Sequence, residues 1–275
     1  PGSMTQFTDL GSVGDEAFSG LTADHISALP GQAFQELSQY QISNLDPSVM
    51  SAFTADNIEA LPAQAFSAFT EDHITNLQAE TFESFNNQDV SNLQPEALSA
   101  LDSSMLAAME PDVMSGFSEH QIEHLSADIL GDLDADHFNN FDADAIGALT
   151  AEQVSALPAS IFAEEYAGDY AIQQLANLSV DAVGGLTAEQ IAHYPPEAVS
   201  NGFTPEFIEA IDADVIGALT ADQVSNIGPI AWREIDADTL GAISPDSMTQ
   251  FTDLGSVGEE AFSGLTADHI SALPG

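Results

Sequence analysis

An apolar side chain recurs every eight residues from Leu21 through Leu29, Leu37, Leu45 and Phe53 to Leu157, with no polar interruption. A second series, from Ile26 through Phe34 and Ile42 to Phe162, is equally unbroken. Together they define an octad, L-x-x-x-x-I-x-x, whose apolar spacings alternate five and three. Residues three apart, such as Ile26 and Leu29, share one face of a helix. In a strand the same pair would point to opposite sides of the sheet. The octad therefore constrains the chain to short helical turns carrying a thin apolar seam.

The residue after each Leu-type position reinforces this reading. Thr22, Ser38, Asp46, Thr54, Thr70, Ser118, Asp134, Asp142 and Thr150 are N-cap types, whose side-chain oxygen accepts from a free backbone N–H. Thr150-Ala-Glu-Gln153 and Thr220-Ala-Asp-Gln223 have the spacing of a capping box. Elsewhere proline opens the octad, at Pro30, Pro62 and Pro158, or one position later at Pro47, Pro95 and Pro111. Each octad thus reads as one to one-and-a-half helical turns, far short of the ~12–15 residues an isolated helix needs. Such turns persist only by stacking on one another. The sequence predicts an all-α, compact solenoid of very short helices, one per octad. Where cap-started and proline-started octads alternate, it predicts 16-residue helix pairs. A β-solenoid is the alternative, opposed by the abundance of Ala, Asp, Glu and Gln.

Phase slips in three places. After Phe162, Glu165 stands where Leu is due, and regular phase returns at Leu178 and Val183. One residue is gained at Asn201-Gly202-Phe203, and Phe251–Val257 is two residues short. These slips divide the chain into an octad solenoid over 1–162, an irregular or longer helical insertion over 163–177, and a second octad solenoid over 178–251. The final segment, 252–275, copies 8–31. The sequence predicts that all four run on as one continuous solenoid. The copy belongs to a longer match, because residues 1–31 and 245–275 differ only at Gly2/Asp246 and Asp15/Glu259. A near-identical copy 244 residues on is the mark of tandem duplication of the whole block.

Charge narrows the partners. Forty-five acidic residues face a single basic one, Arg233, for a formal net charge of −44. A field of that sign repels nucleic acid and anionic headgroups and attracts cations. No apolar run approaches the ~18–20 residues of a membrane span. Cysteine is absent, so disulfides play no part. The 44% apolar content is that of a folded chain.

The candidate chemistry is sparse. His120-Gln-Ile-Glu123-His124 fits the H-x-x-E-H pattern of inverzincin metalloproteases, but its polar residues fill outward octad positions. The expectation is adventitious transition-metal binding at His120 and His124, not catalysis. Paired acids at Asp134/Asp136, Asp142/Asp144, Asp212/Asp214 and Asp236/Asp238 are candidate ligands for calcium, a hard cation that takes oxygen donors. The same placement is also that of an N-cap followed by a first-turn carboxylate suited to the helix dipole. His25, His73, His137 and His269 share one octad position with Gln41, Asn57, Gln121 and Gln153, read as capping-box partners or surface polar groups. Trp232 falls on the apolar seam, and Arg233 beside it is expected to pair with a nearby carboxylate. No nucleophilic triad, phosphate loop or dinucleotide fingerprint can be assembled, so no enzyme activity and no required cofactor are expected.

The octads at Leu149–Leu157, Leu186–Tyr194 and Leu219–Ile227 resemble the L-T-x-x-Q-[IV]-x-x-L repeats of very long, acidic, cysteine-free bacterial surface or secreted proteins of adhesin type. The resemblance implies an extracellular or cell-surface array exported by a type I system. This chain departs from that pattern in lacking glycine-rich calcium nonapeptides. The expected role is a structural stalk, spacer or fibre segment, adhesive through its ends. Its partners would be neighbouring blocks of the same chain and, by self-association, further copies. The alternative is an acidic module that captures calcium or a cationic partner.

Overall fold

A computed structural model of the protein describes residues 10–163 and 177–274. Among the described residues every regular element is a helix, from three residues at Leu254–Ser256 to seven at Pro196–Gly202. The chain is a compact solenoid of short helices, and the β-solenoid alternative finds no strand among the described residues. It divides into two compact units, Pro1–Leu133 with Asn140–Ala145, and Asp134–Asn139 with Ile146–Gly275. The insertion expected at 163–177 lies almost wholly outside the described residues.

Both apolar series form the core. Every member from Leu29 to Leu157 and from Ile26 to Phe162 is buried. Each such side chain contributes about 1.5–3 kcal/mol when withdrawn from water. Aromatic rings join seam to seam, as in the edge-on pairs Phe34–Phe53 and Phe66–Phe85, with centroids 5.3 and 5.2 Å apart.

Two periods are superimposed. The first is chemical and spans two octads. Octads with a capping box form α-helices, as at Ala55–Ala60 and Glu71–Thr75, because both the N-cap N–H and the third helical N–H find side-chain partners. In the first unit most of the intervening octads form 3₁₀ turns, as at Ala63–Ala68 after Pro62, with no side-chain cap. The residue before the Ile-type position alternates in step. In cap-box octads it is polar (Gln41, Asn57, His73, Asp89), and in the others it is mostly small and apolar (Ala33, Val49, Ala65, Ala97). Both kinds are buried, so the seam is wider than two residues in eight.

The second period is structural and spans three octads. Helix 87–92 packs on both 63–68 and 111–116, and helix 39–43 packs on 15–20 and 63–68. One rung is therefore 24 residues, three short helices in succession, and not the two-helix unit expected from the alternation. Three is odd, so most polar octads lie between two apolar ones, with Asn57 against Thr81 and Gln223 against Ser247 among the exceptions. Asp89 sits between the octads of Ala65 and Val113, and His73 between those of Val49 and Ala97.

Glycine marks the closest backbone approaches between rungs. A Cβ on Gly116 would collide with the Asn87 carbonyl, and one on Gly185 with the Ala151 carbonyl. The corresponding pair near the C-terminus is Gly264 with Ala237.

Candidate functional site

The buried polar residue of each cap-box octad carries the most developed chemistry in the molecule. The Gln121 amide oxygen accepts from the backbone N–H of Ser118, its own N-cap, at 2.9 Å. Its amide nitrogen donates to the carbonyls of Val90 and Leu93, both at 2.8 Å, at the C-terminal end of a helix in the preceding rung. One side chain thus satisfies an orphan donor at the start of its own helix and orphan acceptors at the end of another. Gln41 does the same toward Leu10 and Val13, Gln190 toward Val154 and Leu157, and Gln223 toward Ile191 and Tyr194. Histidine reproduces the arrangement. Nδ1 of His73 accepts from Thr70 N–H at 3.1 Å, which leaves Nε2–H to donate to the Leu45 carbonyl at 3.3 Å. His269 reaches Ile243 in the same way at 2.7 Å.

These histidines and glutamines are capping-box partners, as the sequence indicates. His73, His269, Gln41, Gln121, Gln190 and Gln223, however, are not surface groups but inter-rung staples, whereas His25 joins Thr22 in its local box. The sequence signal for this was present in the restriction of that position to side chains with an acceptor near the backbone and, mostly, a donor beyond it.

The staples also record the phase slips. The bond to the Leu-type carbonyl spans 28 residues for Gln41 and Gln121. It spans 33 for Gln190, 29 for Gln223 and 26 for His269. The differences of plus five, plus one and minus two correspond to the slips near 163–177, at Asn201–Phe203 and at Phe251–Val257. The hydrogen-bond ladder resumes beyond each slip.

Burial sets the titration of two rungs. His73 is lowered from its ordinary value by burial, against the pull of the Leu45 carbonyl and nearby Asp72 and Asp46. Asp89 occupies the staple position but is acceptor-only when ionised, and burial pushes its carboxyl up to about 6 despite the Asn86 N–H.

The other sequence candidates lie outside the ladder. His120 and Glu123 are exposed and touch at 3.3 Å, and the His120 and His124 rings meet edge-on at 4.9 Å. They sit on and just beyond a four-residue helix, Glu119–Ile122. Asp134, Asp136, Asp142, Asp144, Asp212, Asp214, Asp236 and Asp238 are all exposed. Asp134 accepts from His137 N–H at 2.9 Å and meets its ring at 2.7 Å. Burial raises the Asp134 carboxyl, but these bonds outweigh it and hold it below the usual range. Asp236 caps Thr239 N–H at 2.7 Å, which lowers its carboxyl as well. Among the described residues no three of His, Asp or Glu are grouped to hold a metal ion. Trp232 is buried against Phe251 with ring centroids at 4.4 Å. Arg233 is exposed and, contrary to the local pairing expected, makes no ion pair among the described residues.

Comparison with protein families and with curated proteins returns no match to this chain. No helix among the described residues is long and apolar enough to cross a membrane.

Proposed function

We propose that the chain is a structural block of a giant tandem-repeat protein outside the cell or on its surface, a stalk, spacer or fibre segment that adheres through its ends. The duplicated segment carries this reading. The copies lie 244 residues apart, which is thirty octads with the four residues that the slips add in net. Thirty is divisible by the three octads of a rung, so each further block begins where the last one began, and copying adds length without new chemistry. A chain extended by a second 244-residue block tests this in small-angle scattering. The maximum dimension should grow by a constant increment per block at unchanged melting temperature. Blocks that fold back side by side would overturn the reading.

A second reading, an acidic module that captures calcium or a cationic partner, is favoured by the 45 acidic residues against one basic. Melting in EDTA and in millimolar calcium separates the two, since a spacer shifts little and a calcium module by many degrees.

A further inference from the structure

One face of the first unit is free of exposed charge in a molecule with 45 acidic residues. Helices 39–43, 63–68 and 87–92 stack in succession, so their outward positions form one surface. Among residues 39–44, 63–68 and 87–92 no acid is exposed, since the one acid there, Asp89, is buried. The turns before them in each rung expose five acids, Glu36, Asp56, Glu59, Glu80 and Glu83. The turns after them expose Glu71, Asp72 and Glu96. The neutral stretch is bounded by exposed Glu16 at one end and exposed Asp112 at the other.

The chemistry of this face is amide and hydroxyl. Ser43, Ser67 and Ser91 recur every 24 residues, and each hydroxyl donates to a carbonyl of its own helix, at 2.9, 2.8 and 2.9 Å. The side-chain amides of Gln39, Gln64, Asn87 and Gln88 are exposed and make no hydrogen bond among the described residues. Tyr40 stands beside them, 73% exposed.

We propose that this face pairs laterally with the same face of a second copy of the chain. Charge selects that occupant. A neutral ligand is not repelled by carboxylates, so its binding would leave the exclusion of acids from this face unexplained. An anionic partner of another kind would call for Lys or Arg, and the face has neither. A second copy carries the same net charge of −44 and can come close only where both surfaces are uncharged. An amide donates and accepts at once, so a surface of amides complements itself, as a two-fold interface requires. The pairing joins separate chains through one block of each, so it goes beyond the spacer reading and does not depend on it.

The test is sedimentation velocity of the full chain against salt and protein concentration. At about 10 mM sodium chloride repulsion reaches ~30 Å, and the chain should sediment as a 28.9 kDa monomer. At about 500 mM it should shift toward twice that mass as its concentration rises. Gln64→Glu/Gln88→Glu sets two carboxylates on the face and should weaken the dimer at least about tenfold. Ser51→Glu/Ser99→Glu adds the same charge on the face that follows and should leave the dimer unchanged. Far-ultraviolet dichroism checks that helix is retained. If Gln64→Glu/Gln88→Glu loses its helix, Gln39→Glu/Gln88→Glu replaces it with the same expectation. A chain that stays monomeric in high salt at its highest soluble concentration overturns the proposal. So does a dimer that the face variant leaves intact, or one that the control variant weakens as much. Retention of a monomeric chain on a neutral polysaccharide matrix, abolished by the face variant, would assign the face to a glycan and overturn the pairing. None of these results bears on the increment of length per block.

Discussion

Gln121 holds two rungs with the two ends of one amide, and its replacements separate the parts. Gln121→Glu keeps the acceptor toward Ser118 N–H but sets a carboxylate oxygen against the Val90 and Leu93 carbonyls. It should lose about 2–4 kcal/mol in a denaturant titration, while Gln121→His, which copies His73, should lose less than about 1.5 kcal/mol. Equal losses would show that the inter-rung donor is unimportant. Asp89 and His73 give opposite pH dependences at the same octad position. The Asp89 carboxyl is raised when folded, so its stabilisation is present below its unfolded value of ~3.9 and is lost as pH rises through about 6. Asp89→Gln should therefore gain on the order of 1–2 kcal/mol at pH 7 and nothing at pH 3.5. His73 is lowered when folded, so its contribution is full above ~6.5 and is lost as pH falls below that value. His73→Gln should make thermal stability less sensitive between pH 6.5 and 5, read as melting temperature against pH.

At the scale of the single helix, local rules alone would leave every element unfolded. Helices of four to six residues cannot nucleate in isolation, and those described here exist because caps and neighbouring rungs act together. Gly116 tests how tightly the backbones meet. Gly116→Ala drives a methyl into the Asn87 carbonyl and should cost more than ~2 kcal/mol, whereas Gly20→Ala, with nothing within 4 Å, should be neutral or slightly stabilising. A small loss at both positions would mean that the rungs part easily. Helix, cap and seam were legible in the sequence because each is written within one octad: Thr54 with Asn57, Ile58 with Leu61. The rung of three was not, since nothing within an octad names the partner 24 residues away. Its trace lay in the alternation of Gln41 with Ala33 and Val49, which reads equally well as a two-helix unit. The exposed aspartate pairs each belong to their own octad, and Asp134 and Asp236 serve the start of their own helix.

For the whole molecule, the dominant long-range term is self-repulsion. A net charge of −44 with a single cationic side chain leaves the folded state denser in like charge than the unfolded chain. Raising sodium chloride from about 10 mM to about 500 mM shortens the screening length from ~30 Å to a few ångströms and should lift the melting temperature by several degrees. An unchanged melting temperature would show that the acids are spaced widely enough not to interact.

The alternation of polar and apolar octads has an even period and the rung an odd count, and this restricts how the gene can change length. Loss of one octad would shift every later corner, and loss of three would set glutamine octad against glutamine octad. Only steps of six octads keep both cycles in time, and the thirty-octad block is five such steps. Length changes should then be filtered at the level of folding, with whole multiples of that step tolerated best.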